Sequence, residues 1–573
     1  MNGITMMVIS AVALGLAYLT YGRWLAKKWG IDPNAKTPAY EFEDGIDYVP
    51  AKPGVVFGHQ FASIAGAGPI NGPIIAAMFG WLPVMLWILL GGIFFGAVQD
   101  FASMYASVKN KGRSVGYIIE LYIGKTGKRL FLLFVWLFSI LVVAAFADIV
   151  AGTFNGLNAD GSLNTANAST ATTSLLFIGT AVFYGFFLRK KNPSSLVSNL
   201  VGLGLLVGAI ALGLLFPVYI AKTPWLYFVF AYIFVASITP VWALLQPRDY
   251  LNSFLLVAMM AFAFFGILFA NPSIELPAYT GFVVGGNMMF PVLFVTIACG
   301  AVSGFHSLIA SGTSSKQIQN ERNMLPISFG SMLLESFLAI IALITVGAMA
   351  KGGQMPTGTP PVIFASAIAG FLGTVGIPES AIFTLITLAV SAFALTSLDS
   401  VARIGRLSFQ ELFTTEGVEA EDQTPLIRLF TNKYFATLIT LFLSYLLAVL
   451  GYQNIWPLFG SANQLLSALA LISLAVFLKK TKREGFMLWG PMTIMLAVTF
   501  TALGQIIYKA LNKLLVTGDF VVMSDGLQLV FAILLVGLGF LVAVSGFKKL
   551  FGKESPAAAH QKSPEEKVAY ARD

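Results

Sequence analysis

The chain has 573 residues, of which 57% are hydrophobic and 13% aromatic, while only 11% carry a charge. A soluble domain carries roughly 25% charged residues, so a chain with so few cannot cover a water-facing surface. A soluble enzyme, a coiled coil and a disordered hub are excluded, and the single cysteine, Cys299, leaves no intrachain disulfide and no multi-cysteine metal site.

Uncharged apolar runs recur almost end to end, each long enough to cross a hydrocarbon core of ~30 Å as a helix. The first, 4–25, is closed by Arg23, Lys27 and Lys28. It lacks a basic leading region and a small-residue cleavage site, so it reads as a retained span. The runs 57–80, 84–107, 130–152, 172–188, 196–220, 226–246 and 251–271 follow. Next come 291–312, 327–349, 379–402, 434–452, 456–477, 487–508 and 527–547, making about fifteen spans in an all-α polytopic membrane protein. Residues 362–374 are too short to cross and read as re-entrant or interfacial.

The net charge of +8 sits mostly in alternate loops beside the spans, which suits anionic lipid head groups rather than nucleic acid. The opposite set of loops holds only Lys222, Lys351, Lys509 and Lys513. This bias puts the N-terminus outside and the C-terminus in the cytoplasm.

Two runs contain groups that bulk lipid would not tolerate in a helix. In 57–80, Gly66, Gly68, Pro69, Gly72 and Pro73 fall within eight residues. The backbone groups they free at mid-membrane depth must line an enclosed cavity or bind something. A second break is expected at Ser237-Ile238-Thr239-Pro240, followed by Gln246-Pro247, about five spans later. Five is odd, so a second copy of the unit would enter from the other side, giving an inverted repeat with the site between broken helices. The expected layout is a leading helix and cytoplasmic loop over 1–56, a 5+5 core over 57–402 and a cytoplasmic loop over 403–433. A four-helix region over 434–547 and a disordered cytoplasmic tail over 548–573 complete it. Gly and Pro in these runs equally serve close helix packing.

Ser307, Ser311 and Ser314 recur at helical spacing, so one face of the 291–312 run carries hydroxyls. Facing loosened carbonyls near Gly66–Gly68, they would suit a small cation; alternatively they bond to their own preceding turns. His306 lies on the same face, and His59 at the mouth of the first break. Histidine titrates nearest neutral pH and suits proton coupling. Asp100, Asp148, Glu335 and Asp399 lie inside spans and should face the interior. Asp100 and Asp399 have further polar neighbours and are the preferred carboxylates, although Asp399 can also pair with Arg403 one turn on. Gly124-Lys125-Thr126 lacks the earlier glycine of a phosphate loop, and no hydrolase, metalloprotease or selectivity-filter motif occurs. Neither a cofactor, a bound metal nor an enzymatic activity is expected.

The stretches Phe57–Ala76, Gly96–Ser103, Ser303–Lys316, Thr396–Arg406 and Phe459–Leu466 closely resemble the carbon starvation protein A (CstA) family of bacterial inner-membrane transporters. The likeness implies a multi-pass secondary transporter of nutrient-limited cells, linked to peptide uptake and in some members to pyruvate uptake with protons. It also implies a LeuT-like core of the amino acid–polyamine–organocation type. Where the family often reads His-His, this chain has His59-Gln60, which puts a paired-imidazole relay in doubt.

The reading is therefore ion-coupled uptake of peptides or pyruvate by alternating access, with a passive facilitator of small carboxylates as the alternative. Gly66, Gly68, Asn71, Gly72, Trp242 and Gln246 are the expected substrate residues. His59, Asp100, His306, Ser307, Ser311, Ser314 and Asp399 are the expected coupling residues, for H⁺ or Na⁺.

Overall fold

The computed structural model describes every residue except 46, 159, 192, 240–243, 415–423 and 553–573. Apolar composition without charges yields helices throughout, because a backbone in lipid must bond to itself. In chain order these are α1 (Gly3–Lys28), the bent pair α2 (Pro53–Ile64) and α3 (Gly68–Phe79), α4 (Trp81–Lys109), α5 (Val115–Tyr122), α6 (Lys125–Thr153), α7 (Thr165–Lys191), α8 (Ser195–Leu215), α9 (Lys222–Ile238) and α10 (Leu245–Ala270). A short hairpin, β1 (Val283–Val284) and β2 (Asn287–Met288), leads into α11 (Met289–Thr296) and α12 (Gly304–Gly312). Then come α13 (Glu321–Met349), α14 (Pro360–Gly373), α15 (Glu379–Phe413), the bent pair α16 (Pro425–Thr431) and α17 (Lys433–Ala448), α18 (Tyr452–Lys480), α19 (Phe486–Thr517) and α20 (Val522–Phe551).

Among the described residues, eleven helices are long and apolar enough to cross a membrane, or up to thirteen if each bent pair is one span. Two more apolar helices, α9 and α14, are shorter. Each expected run overlaps a helix, but that at 226–246 leaves helix after Ile238 and that at 291–312 is divided between α11 and α12; the short 362–374 run is α14, wedged between α13 and α15.

Burial separates centre from rim. The most apolar windows of α6 and α15 are 83% buried and that of α18 is 100% buried, against 28% for α8 and 33% for α1 and α20. Helices α6 and α15 pack along one another and form the spine. Helix α18 lies against α4, α6, α12 and α19, at the heart of the molecule. The expected layout had grouped it with the four-helix region over 434–547; here it is also packed against the preceding helices. Its composition carries the reason: Asn463, Gln464, Ser467 and Ser473 are fully buried, and such groups need protein partners rather than lipid.

The loop expected from 403 starts later, since α15 continues to Phe413. Arg403 and Arg406 hold it: Arg403 donates to the carbonyls of Ala236 and Thr239, and Arg406 to that of Ser237. They cap the C-terminal carbonyls of α9, which no helix bond can satisfy. Likewise α20 runs to Phe551, past the expected start of the tail; residues 553–573 lie outside the described residues.

Candidate functional site

Helix α2 ends at Ile64, where Ala65 turns out of helical geometry (ψ 54°), and α3 begins at Gly68 after a 44° change of direction. The dense breakers sort themselves by position. Pro69 occupies the first turn of α3, where a missing N–H costs nothing, and Pro73 lies within it. The unwound residues are therefore Ala65–Ala67, fewer than the Gly66–Pro73 stretch expected.

At the second expected break, α9 ends at Ile238, Thr239 is extended and helix resumes at Leu245, with Pro240 and Trp242 outside the described residues. Gln246 lies in the first turn of α10, its side chain likewise outside the description. A further break, not expected from the sequence, falls inside the run 291–312. Helix α11 stops at Thr296, Gly300 takes a left-handed φ of +86°, and α12 restarts at Gly304.

This break and the first face each other at a distance only glycine permits. A Cβ on Gly68 would lie 2.4 Å from Cys299 Cβ, and one on Gly72 would lie 2.7 Å from the Thr296 carbonyl oxygen. Between them is a small pocket of about 10 Å³, lined by Gly66, Gly68, Phe138, Phe146, Cys299 and Asn463 among others.

Helix α18 closes the open backbone ends of the second of this pair. Asn463 Oδ1 accepts the Phe305 N–H at 3.1 Å, and its Nδ2 donates to Ser303 Oγ at 3.0 Å, capping α12. Gln464 Nε2 donates to the Phe294 carbonyl at 2.6 Å and Trp456 Nε1 to that of Thr296 at 3.3 Å, capping α11. The sequence reading missed these residues, although Phe459–Leu466 carried part of the family likeness.

The hydroxyl face of α12 meets a matching face of α4. Gln99 Nε2 donates to Ser307 Oγ (2.8 Å), Ser103 Oγ to Ser307 Oγ (3.0 Å), and Ser107 Oγ to Ser315 Oγ (2.8 Å) and the Ser311 carbonyl (2.9 Å). Ser311 also bonds back to the Ser307 carbonyl at 2.6 Å. Both helices place these residues four apart, so the rows interlock as a polar seam. The structure thus joins Ser307 and Ser311 to α4 rather than to the Gly66–Gly68 carbonyls. Ser314 Oγ donates to Gln60 Oε1 at 2.6 Å, tying this region to α2.

Two buried charged clusters flank the breaks. In the first, His306 Nδ1 lies 3.1 Å from Asp100 Oδ2 and His306 Nε2 3.3 Å from Glu335 Oε2, with all three side chains fully buried. In the second, Arg248 Nη1 holds Asp399 Oδ2, Tyr232 OH donates to that oxygen at 2.9 Å, and Arg248 Nη2 reaches Asp249 Oδ1 at 3.4 Å. Asp399 therefore pairs with Arg248 on α10, not with Arg403. Arg248, which the sequence reading did not single out, is 1% exposed. Its neighbours Pro247 and Asp249 were the available signal. Helix α2, with the partly buried His59, packs against α10 and α15, which carry this cluster. Asp148, the other intramembrane acid, pairs with Lys222 at 2.7 Å and caps the Tyr452 N–H at 2.9 Å.

A model of the family described as carbon starvation protein CstA matches residues 2–361 and 354–502. The chain belongs to the CstA family. It is 33% identical to the peptide transporter CstA of Escherichia coli, over 85% of this chain and 78% of that one. It is 30% identical to the peptide transporter CstA of Bacillus subtilis, over 96% and 97%. The pyruvate/proton symporter BtsT of E. coli is 32% identical over 87% of this chain and 81% of its own.

Among solved structures, an Eremococcus coleocola manganese transporter in complex with an aromatic bis-isothiourea substituted compound aligns with a TM-score of 0.49 and 12% identity, over 88% of this chain and 99% of that one. MhsT in complex with L-phenylalanine aligns with a TM-score of 0.43 and 13% identity, over 87% and 99%. By its family and its long apolar helices, this CstA-family chain is a multi-pass helical membrane protein. Within it Gly66, Gly68, Asn71 and Gly72 gather at the facing breaks, while Asp100 and Asp399 belong to separate clusters.

Proposed function

We propose that the protein is a secondary active transporter of the bacterial inner membrane that takes up small carboxylates, peptides or pyruvate, by alternating access with protons. The observation that carries this reading is the pair of interrupted helices facing each other at glycine-only distance, with a small pocket between them. Loosened backbone at that depth has value only if it binds or moves something.

The breaks also support an inverted repeat, on boundaries different from those first read. One unit opens with the pair α2–α3 and the other with α11–α12, seven spans later, so the second enters from the opposite side. The second helix of each, α4 and α13, contains a wide turn, at Gly92–Gly96 and Leu325–Gly330. The third helix of each, α6 and α15, forms the packed spine. The second unit then runs through α17 and α18, which accounts for the burial of α18, and the first carries two additional spans. This is the plan of a LeuT-like core.

A substrate carboxylate would sit at the N-terminus of α3, where free N–H groups and the helix dipole favour an anion. Asn71, buried with neither amide atom bonded, supplies a further polar contact. The coupling proton would enter the Arg248–Asp399–Asp249 cluster, where two carboxylates share one guanidinium and His59 lies on the adjoining half-helix. A net negative charge in hydrocarbon is costly, so a proton there changes how α2 docks on α10 and α15. The distribution of basic loops places the N-terminus outside and the C-terminus in the cytoplasm.

Reconstituted vesicles loaded without substrate test this directly. Labelled pyruvate and dipeptides should accumulate under an imposed inward proton gradient and not under a Na⁺ gradient alone. Flux indifferent to both would make the protein a passive facilitator. Gly68→Leu, whose side chain would occupy the Cys299 position, should abolish uptake in a folded protein; undiminished uptake would remove the substrate site from the breaks.

A further inference from the structure

The cluster beside the second break contains ligating atoms that the transport reading leaves unused. Cys299 lies in the unwound segment, His306 in the first turn of α12 and Glu335 on α13, and all three are buried. Each offers one ligand atom, a thiol sulfur, an imidazole nitrogen and a carboxylate oxygen, and these lie within 4.8 Å of one another. Asp100 Oδ2 holds His306 Nδ1 at 3.1 Å, which fixes the ring and leaves Nε2 turned toward Glu335. Neither that nitrogen nor either Glu335 oxygen has a hydrogen-bond partner, and Asp100 Oδ1 has none either.

Buried polar atoms are normally satisfied, and each orphan costs roughly 1–3 kcal/mol. Here Glu335 Oε1 and Asp100 Oδ1 have no hydrogen-bond partner, and His306 Nε2 and Glu335 Oε2 meet only as an ion pair 3.3 Å apart; beside a sulfur, this is a pattern that one cation satisfies. The donor set identifies the kind of cation. Ca²⁺ and Mg²⁺ take oxygen ligands, six or more of them. A mixed sulfur, nitrogen and oxygen set suits a borderline first-row ion, and three protein ligands with one open position are a common zinc arrangement. A carboxylate on the far nitrogen of a ligating histidine is the usual outer-sphere partner in such sites.

We propose that Cys299, His306 and Glu335 bind one divalent transition-metal ion of the Zn²⁺ class, with Asp100 orienting the histidine. Binding exchanges the thiol proton for the metal, and the proton leaves to solvent. Cys299 also lines the pocket between the breaks, so the ion stands at its wall and ties the unwound segment to α13.

Co²⁺ is the probe, because its thiolate complexes absorb in the near ultraviolet and its four-coordinate complexes absorb strongly in the visible. The detergent-purified full chain, stripped with chelator, should bind one equivalent of Co²⁺ with both bands. Zn²⁺ should displace it, and Mg²⁺ or Ca²⁺ should not. His560→Ala, which removes the tail imidazole, serves as the background protein and should bind identically.

In that background Cys299→Ser, nearly isosteric, should lose the near-ultraviolet band while keeping weaker binding. Glu335→Gln and His306→Asn should lower affinity about tenfold or more, each with its thermal transition measured alongside. Absence of stoichiometric binding by the folded parent, or a near-ultraviolet band that survives Cys299→Ser, would overturn the proposal. Binding is read at equilibrium, so a protein that binds Co²⁺ without transporting leaves this inference intact, and one that transports without binding removes it alone.

Discussion

The two interruptions meet at one small pocket, yet they are made by different means. The first is written locally: Gly66, Pro69 and Pro73 weaken the α2–α3 run whatever surrounds it. The second contains no proline between Ile297 and Ser303 and is held open from outside. Asn463, Gln464 and Trp456 reach from α18 to take its free backbone groups. Their charged neighbours differ in the same sense. Beside α2, Arg248 and Asp399 neutralise each other; beside α12, Glu335 and His306 keep ligating atoms unspent. A break fixed by its own residues can sit on a moving half-helix, whereas one fixed by a neighbour is anchored to that neighbour.

Several substitutions break this contrast or sharpen it. The largest effect should come from Asp399→Leu, which leaves Arg248 buried without its carboxylate, an arrangement that costs about 3–5 kcal/mol. The double variant Arg248→Met/Asp399→Leu should recover much of the thermal stability lost by the single one; a thermal shift series in detergent reads both. Equal losses in the two would show that the pair is not the stabilising unit.

Next in size is Gly72→Ala, whose methyl meets the backbone of Thr296 and Ile297 at 2.7 Å and 3.1 Å. Forcing two backbones apart should cost about 1–3 kcal/mol and uptake with it. Gly58→Ala, in the same helical run but facing open space, should be neutral or stabilising by up to about 1 kcal/mol. If both behave alike, the close approach of the breaks is not what Gly72 provides.

A smaller and more local effect is expected from Asn463→Ala. Removing the cap of α12 should cost about 1–2 kcal/mol. Amide exchange should rise over 297–305 and stay unchanged over 64–68. Equal acceleration at both breaks would mean that α18 does not distinguish them. Smallest of all, Ser107→Ala deletes one link of the polar seam between α4 and α12 and should lower stability by about 1 kcal/mol, with uptake retained.

Much of the architecture was legible residue by residue. Runs of apolar residues placed the long helices, though not α5 or α16, and the Gly66–Pro73 cluster marked the first break to within a few positions. Asp100, His306 and His59 were recognisable because ionisable groups at that depth must be held by protein. Other features were not legible. The break at 297–303 has a composition like any packed membrane helix, and only its facing partner distinguishes it. Arg248 and Glu335 meet partners on other helices, Asp399 lying 151 residues later and His306 29 residues earlier, and no local pattern marks either pair.

What the amino-acid order settled by itself is the solvent: too few charges and too many twenty-residue apolar runs for anything but a bilayer, with weak helix where glycine and proline crowd together. What only the assembled protein decided is which polar groups meet. In hydrocarbon an unpaired amide or carboxylate is too costly to leave alone, so partners are chosen by helix packing over distances of hundreds of residues. Gln99 meets Ser307, Asn463 meets Phe305, Asp399 meets Arg248, and no local pattern announces any of those pairings.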